Sequence, residues 1–179
     1  MKGKALIIGS IILFSISGYG ASLRVEGKVA YFIKTDKAFR DIYGTGTIYG
    51  GEINIGILKY LELWAGGRYY RKKGELAVTK EMTEITLFPL EFGLKLRDRS
   101  GGGYIGIGIR SYQYKETNPI GEVKGNSLGI LGQLGLLLKI TNGFMLDIYL
   151  SYSHCEVKPQ NIKVNIGGGE VGIGLGFEI

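Results

Sequence analysis

The sequence G-G-E-V-G-I-G-L-G-F-E-I fills residues 168–179. Large apolar side chains stand at the odd positions from Val171 to Ile179, and glycine or glutamate stands at the even positions between them. This period of two predicts a β-strand, because successive strand residues point to opposite faces. One face is entirely apolar, and the other is mostly bare backbone. Such a strand needs a partner along both edges, so we expect it to close a barrel against the first strand.

Seven more segments show the same kind of alternation. Together with the last one, they lie at about 23–34, 47–57, 61–71, 83–97, 103–114, 128–140, 144–154 and 168–179. They are roughly twice as long as the five or six residues of a typical soluble strand, whereas about nine to eleven residues cross a bilayer at a tilt. The sequence therefore predicts an all-β fold, an eight-stranded antiparallel up-and-down transmembrane β-barrel.

The connections between these segments alternate in length. Short turns are expected at about 58–60, 98–102 and 142–143, and Asn142-Gly143 is a strong hairpin signal. Long loops are expected at about 36–46, 72–81, 115–126 and 155–163. Short turns at one end and long loops at the other are typical of barrels that span a membrane, where the long loops are external.

The fourth segment changes its pattern at Pro89. Ile85 and Leu87 are at odd positions, whereas Leu90 and Phe92 are at even positions. If all these apolar side chains face outwards, one extra residue must be accommodated between them. We therefore expect a β-bulge at Pro89, which would also tolerate the missing N–H group.

The first twenty residues form a separate segment. Lys2 and Lys4 precede a mostly apolar stretch, 5–16, and Gly18 and Gly20 follow it as small residues at a cleavage-like spacing. This pattern predicts a secretory signal peptide over 1–20, which leaves 21–179 as the barrel domain. A membrane-anchor helix is the alternative, but the apolar run is shorter than the roughly twenty residues that span a bilayer.

Composition excludes several classes of function. The net charge of +6 is mild, and no basic run is interleaved with stacking aromatic residues, so we expect no nucleic-acid partner. Cys155 and His154 are the single cysteine and the single histidine. They rule out an internal disulfide and a zinc site built from histidine and cysteine alone. We expect neither a metal nor a cofactor.

The alternation of odd and even positions does not settle which face of the barrel is outside. A secreted, lipocalin-like barrel would hold the apolar face inside, but strand length and loop asymmetry favour the membrane and a polar lumen. In that case the lumen holds charges of both signs, and these should pair, because an unpaired buried charge is costly. The predicted inward charges are Arg24, Glu26, Lys28, Glu52, Glu62, Arg68, Glu91, Lys95, Arg110, Asp147 and Glu170. We expect a filled interior stabilised by salt bridges. The alternative is a gated path for ions.

The chain resembles the small eight-stranded outer-membrane β-barrel proteins of bacteria, the OmpA/OmpX-like superfamily. The resemblance rests on the strand rhythm, on the C-terminal alternation, and on the stretches F-R-D-I-Y-G at 39–44 and Y-G-G-E at 49–52. It implies a location in the bacterial outer membrane, with outer-membrane lipid and lipopolysaccharide as partners and the barrel-assembly machinery as a partner during insertion. The family commonly ends in an aromatic residue, whereas Ile179 follows Phe177 by two positions here.

Aromatic and basic residues lie near the strand ends. Tyr31, Tyr49, Tyr69 and Tyr152 near the loops, and Phe144 and Phe177 near the turns, predict two interfacial belts. The loop cations are Lys34, Lys37, Arg40, Arg71, Lys72, Lys73 and Lys80. They could attract lipopolysaccharide phosphates, or form a solvated surface balanced by Asp36, Asp41, Glu75 and Glu81.

Three functions remain open at this point. The first is a non-enzymatic envelope protein that acts structurally or through its external loops, the second is a narrow channel for small solutes, and the third is a lipid-modifying enzyme. The third depends on Ser151, Ser153, His154 and Glu156. Ser153 and His154 are adjacent in a strand, so they should face opposite sides, and we predict no catalytic residue. Gly103, Gly106 and Gly108 lack the following helix that a nucleotide site requires.

Overall fold

The structure is a computed structural model that describes residues 22–76, 80–98, 100–119, 121–157 and 164–179. The predicted signal peptide, 1–20, lies outside the described residues. Within the described ranges, no helix is both long and apolar enough to span a membrane.

The described ranges contain ten strands and one short helix. Their bounds are β1 Leu23–Lys34, α1 Lys37–Tyr43, β2 Gly46–Gly56, β3 Leu61–Glu75, β4 Met82–Arg97, β5 Gly103–Asn118, β6 Gly121–Lys139, β7 Phe144–His154, β8 Glu156–Val157, β9 Val164–Asn165 and β10 Gly168–Glu178. Strands β1 to β7 and β10 close one antiparallel barrel, and β8 pairs with β9 in a separate small ribbon. The predicted eight-stranded antiparallel barrel is confirmed.

The last strand closes the barrel against the first. Val25 pairs with Phe177 and Tyr31 with Val171. At the end of this seam, Leu23 N donates to Ile179 O at 3.1 Å and Ile179 N donates to Leu23 O at 2.8 Å. On its other edge β10 pairs with β7. Both edges of the alternating C-terminal segment are therefore covered, as the sequence pattern predicted.

The apolar faces of the strands point outwards. Ile107 and Ile130 are 68% and 69% exposed, whereas Lys95 and Arg110 are 0% exposed. A barrel with this arrangement would place an apolar surface in water if it were secreted, so the lipocalin-like alternative is wrong. The exposed apolar surface requires an apolar solvent, which the bilayer provides.

The predicted bulge at Pro89 is wrong. Gly67 pairs with Leu90 on one side of it and Tyr70 pairs with Leu87 on the other, so the register between β3 and β4 stays the same. Leu87 therefore points into the barrel, where it is fully buried. The apparent change of parity has another cause, because the interior itself turns apolar towards the external end.

Two external connections also differ from the prediction. The loop expected over 115–126 is instead a hairpin, in which β5 runs to Asn118 and β6 starts at Gly121. The loop over 36–46 holds α1, which the alternation pattern did not predict. Asp36 caps this helix by accepting from Phe39 N at 3.1 Å, and Gly44, at a φ of 61°, ends it. The turns at the opposite end are short, as predicted.

Candidate functional site: the filled lumen and the external sheet

The interior begins, at the end with the short turns, with a layer of arginines and glutamates. Arg24 Nη2 lies 3.0 Å from Glu62 Oε2, and Arg97 Nη1 lies 3.1 Å from Glu62 Oε1. Arg97 also pairs with Glu178 at 2.9 Å, and Arg24 pairs with Glu26. Each carboxylate in this layer thus faces at least one guanidinium group, which fills the turn end of the barrel.

The middle layer is centred on Glu52. Its carboxylate lies 2.5 Å from Lys95 Nζ and 3.0 Å from Lys28 Nζ. Lys28 Nζ also lies 2.8 Å from Asp147, which accepts a hydrogen bond of 2.9 Å from the Tyr104 hydroxyl. Charges of opposite sign alternate across the full width of the lumen here.

Arg110 is the centre of the third layer. Its guanidinium lies 2.8 Å from Glu91 and 2.5 Å from Glu170, and Arg68 Nε donates to Glu91 at 3.1 Å. Arg110 also donates to the Tyr112 hydroxyl at 3.2 Å. A planar guanidinium with several donors suits this bridging position between carboxylates.

All eleven predicted inward charges lie buried inside the barrel, and we call eight of them the lumen network. These eight are Glu52, Glu62, Arg68, Glu91, Lys95, Arg110, Asp147 and Glu170. The three layers join, because Arg68 Nη2 approaches Glu52 at 3.6 Å and Lys28 Nζ lies 3.3 Å from Glu26. The sequence analysis did not name Arg97 and Glu178 as inward charges. Arg97 lies two residues after Lys95 and so shares its inward face, and the alternation along β4 could therefore have identified Arg97. In the described part of the chain, the network links inward-facing side chains of different strands across the lumen.

An apolar layer covers the charges at the external end. It consists of the buried side chains Phe32, Ile48, Tyr70, Ile85 and Leu87, with Phe39 and Tyr43 of α1 packed against them. This layer explains why inward residues near the external end of β4 are apolar. The helix α1 therefore acts as a cap on the barrel mouth.

Lys34 lies beneath this cap. Its ammonium group is 4.0 Å from the ring centre of Phe39, 4.8 Å from that of Tyr43 and 4.6 Å from that of Tyr70. The side chain is completely buried, so its expected place among the loop cations is wrong. Three ring faces attract the ammonium group by cation–π interaction, which connects β1 to α1 and β3.

Tyr43 fixes the cap to the opposite side of the barrel. Its hydroxyl donates to Glu116 at 2.7 Å and lies 3.0 Å from Thr83 Oγ1. We expect Tyr43→Ser to weaken the docking of α1 by about 2 kcal/mol or more, because a large buried ring is lost. Cleavage by trypsin after Arg40 should then become at least tenfold faster, since proteolysis follows local opening. Mass spectrometry of the released peptides measures this rate.

Ala38→Ser is the control for the cap, because Ala38 lies on the same helix with its side chain exposed. Its cleavage rate after Arg40 should match that of the unmodified chain. Equal rates for Tyr43→Ser and Ala38→Ser would show that the ring of Tyr43 does not hold α1 in place.

The serine and histidine candidates are separated. Ser153 is fully buried, and its Oγ lies 2.8 Å from the Tyr112 hydroxyl. His154 faces outwards, where its Nε2 lies 3.6 Å from Glu156 and its Nδ1 lies 3.1 Å from Asn165 Nδ2. A serine nucleophile needs a base within hydrogen-bond reach, and His154 does not supply one. Among the described residues, no group of histidine, cysteine or carboxylate side chains has the arrangement of a metal site.

Strands β3 to β6 extend beyond the rest of the barrel. The last pair of β6 with β7 is Ile130 with His154, yet β6 continues for nine residues towards its start at Gly121. Over this length β6 stays paired with β5, and β5 with β4 as far as Glu84. We call this four-stranded extension (70–75, 82–88, 111–118 and 121–129) the external sheet.

Aromatic rings mark the two limits of the apolar outer surface. The ring centres of Tyr49 and Tyr69 lie 5.3 Å apart near the external end, and those of Phe144 and Phe177 lie 5.0 Å apart near the short turns. Belts of this kind lie at the two membrane interfaces. With its closed antiparallel strands, apolar exterior and charged interior, the molecule is an integral transmembrane β-barrel.

Solved structures with this fold are small bacterial outer-membrane barrels. OprG from Pseudomonas aeruginosa matches with a TM-score of 0.69 at 13% identity, covering 92% of this chain and 99% of that chain. Neisserial surface protein A matches at 0.58 with 18% identity, covering 88% and 98%. The N-terminal β-barrel domain of Pseudomonas aeruginosa OprF matches at 0.55 with 15% identity, covering 88% and 97%.

No family model and no curated protein sequence matches the chain. At these identities the solved structures establish the fold, and the apolar exterior and aromatic belts of this chain place that fold in a membrane. The chain therefore has the fold of the small eight-stranded outer-membrane β-barrels of bacteria, with an exterior suited to a lipid bilayer.

Proposed function

We propose that the protein is a non-conducting, non-enzymatic barrel that anchors an external sheet at the cell surface for interaction. The observation that carries this proposal is the contrast between the two halves of the molecule. The membrane half is filled by ion pairs and capped by apolar side chains, whereas the external half holds an extended sheet that the barrel does not need for closure. This arrangement favours a protein that presents the external sheet for interaction at the cell surface over one that transports solutes.

The first test is electrical. The protein, purified from membranes and inserted into planar bilayers, should give no steady conductance above that of the bare bilayer in about 1 M KCl. Ion pairs at 2.5 to 3.0 Å around Glu52 and Arg110 support this expectation, because they hold charged side chains across the lumen. A porin in the same apparatus is the positive control. Stable openings that scale with salt concentration would overturn the proposal in favour of a channel.

The second test removes the tip of the external sheet. Tyr114 pairs directly with Gly125, so replacing 114–125 by Asn-Gly should join Gln113 to Asn126 through a two-residue turn. In gel electrophoresis, the shortened barrel should still migrate faster unboiled than boiled, because the side chains of the three charged lumen layers are unchanged. Failure of this variant to fold would make the external sheet a folding element, which would remove the reason for assigning it an interaction role.

A further inference from the structure

The outward face of the external sheet carries a row of cations in register. Arg71 pairs with Thr86, Thr86 with Lys115, and Lys115 with Lys124, so these four residues cross four adjacent strands side by side. We call Arg71, Thr86, Lys115 and Lys124 the basic row. Neighbouring strands are about 4.8 Å apart, so the row is roughly 14 Å long. The row faces the same way as the lipid-facing side chains below it.

The carboxylates on this face lie one row farther from the membrane. Glu84 lies 2.8 Å from Arg71, and Glu122 lies 2.6 Å from Lys124 and also contacts Lys115. Hydrogen bonds from the two lysines lower the pKa of Glu122, so it is ionised at neutral pH. With Lys73 in the same outer row and Glu75 at the far end of β3, where it lies 3.5 Å from Lys80, this face of the sheet holds four cations and three carboxylates. Exposed pairs of this kind are weak, so an incoming phosphate can replace the carboxylates.

A depression lies beside the basic row. Its volume is about 500 Å³, and its lining includes Phe88, Gln113 and Asn126 together with Lys115 and Lys124. The two amides offer hydrogen bonds to sugar hydroxyls, the ring of Phe88 offers an apolar floor, and the lysines offer charge to a phosphate. This combination suits a phosphorylated saccharide.

An apolar groove lies below the depression on the same strands. Gly132 is outward-facing on β6, and an added Cβ there would meet nothing within 4 Å. The groove around it has a volume of about 970 Å³ and is lined by side chains such as Ile107, Ile130 and Leu134. A groove on the lipid-facing surface of a barrel suits an acyl chain.

The distance between groove and row matches the dimensions of a lipid. Gly132 and Lys124 are eight residues apart on β6, about 26 Å along the strand. At a strand tilt of roughly 40°, this separation is about 20 Å of depth, close to half of the 40–45 Å that a bilayer spans with its headgroups. A single molecule can therefore place an acyl chain in the groove and a phosphate on the row.

We propose that this two-part surface is a binding site for an outer-leaflet lipid with a phosphorylated saccharide headgroup. The basic row holds the phosphate, and the groove at Gly132 holds one acyl chain. The proposal rests on the proposed function, because it gives the external sheet a partner within the membrane. A free soluble phosphate would use the row but not the groove.

Native mass spectrometry of the detergent-solubilised protein with bisphosphorylated lipid A tests this site. The triple variant Arg71→Gln/Lys115→Gln/Lys124→Gln should bind at least tenfold more weakly, since each cation near an anionic surface contributes roughly fivefold. The control Lys59→Gln/Lys139→Gln removes two charges at exposed positions near the short turns, and should bind as the unmodified chain does. Equal losses in the triple variant and in this control would overturn the row as a site.

Two further arms identify the source of the phosphate. Gly132→Leu, which fills open space, should weaken lipid A binding severalfold while the unboiled protein still migrates as a folded barrel. Dephosphorylated lipid A should bind weakly to the unmodified chain. Displacement of lipid A by millimolar inorganic phosphate, or unchanged binding by Gly132→Leu, would overturn the lipid assignment. Conductance is recorded on the same preparations, so a channel would be detected independently of whether the lipid binds.

Discussion

Replacing Arg110 by methionine is expected to lower the free energy of unfolding by about 3–5 kcal/mol. Arg110 is fully buried and bonds Glu91 at 2.8 Å and Glu170 at 2.5 Å. Without the guanidinium, Glu170 loses its hydrogen-bonded cation and Glu91 keeps only Arg68, so buried negative charge remains without full compensation. Urea unfolding in lipid vesicles, followed by the fluorescence of Trp64, measures the change.

Two further variants show whether the loss comes from the unpaired charge. Arg71→Met removes an exposed arginine that bonds Glu84 at 2.8 Å, and its cost should stay below about 1 kcal/mol. Arg110→Met combined with Glu170→Gln removes the uncompensated carboxylate, and should regain most of the stability. If Arg110→Met costs no more than Arg71→Met, the lumen is hydrated and the filled interior is wrong.

Most of the fold prediction came from the alternation of apolar and polar residues along each strand. In a barrel, a residue's parity decides whether it meets lipid or lumen, so Glu52 and Lys95 could be placed inside from the sequence alone. The same rule gave the closing strand, because the alternation from Val171 to Ile179 is uninterrupted. The particular ion pairs could not be predicted in this way, since they depend on the register between strands.

The errors lie at the external end, where the interior is apolar. Ile85 and Leu87 were expected to face lipid because apolar side chains were assumed to point outwards. The cap formed by α1 gives them an apolar environment inside the barrel. Lys34 is buried beneath the same cap, against its aromatic rings. Such tertiary packing brings together residues far apart in sequence, and a local alternation pattern does not contain that information.

The external hairpin was missed because its strands do not alternate between apolar and polar residues. Residues 115–126 are mostly polar and include Gly121 and Gly125, which favour a loop on local preference. In the structure, continuous pairing with β4 and β5 extends the sheet through this stretch. The basic row was missed with it, because Lys115 and Lys124 become neighbours only once the hairpin register is known.

Gly93→Val is expected to destabilise the barrel by about 3 kcal/mol or more, at the upper end of the range for overpacked interiors. Gly93 faces the lumen, and a Cβ added there would lie 2.2 Å from the backbone oxygen of Ile107 and 2.9 Å from Trp64 Nε1. The oxygen is part of the ladder between β4 and β5, so relief of the contact requires the two strands to move apart. Two measurements give the effect: the shift in gel migration between unboiled and boiled samples, and the urea concentration at which half of the protein is unfolded.

Gly27→Val is the matched control, because Gly27 is also a barrel glycine but faces lipid, and an added Cβ there meets nothing within 4 Å. A β-branched side chain suits a strand and an apolar surrounding, so this variant should fold with unchanged or slightly higher stability. Equal destabilisation by both variants would mean that glycine is required in these strands for backbone conformation. A loss confined to Gly93→Val would instead show that the indole of Trp64 and the β4–β5 ladder occupy the space that the missing side chain leaves. The glycines of this barrel would then be needed on the lumen side, where bulky side chains cross a narrow interior.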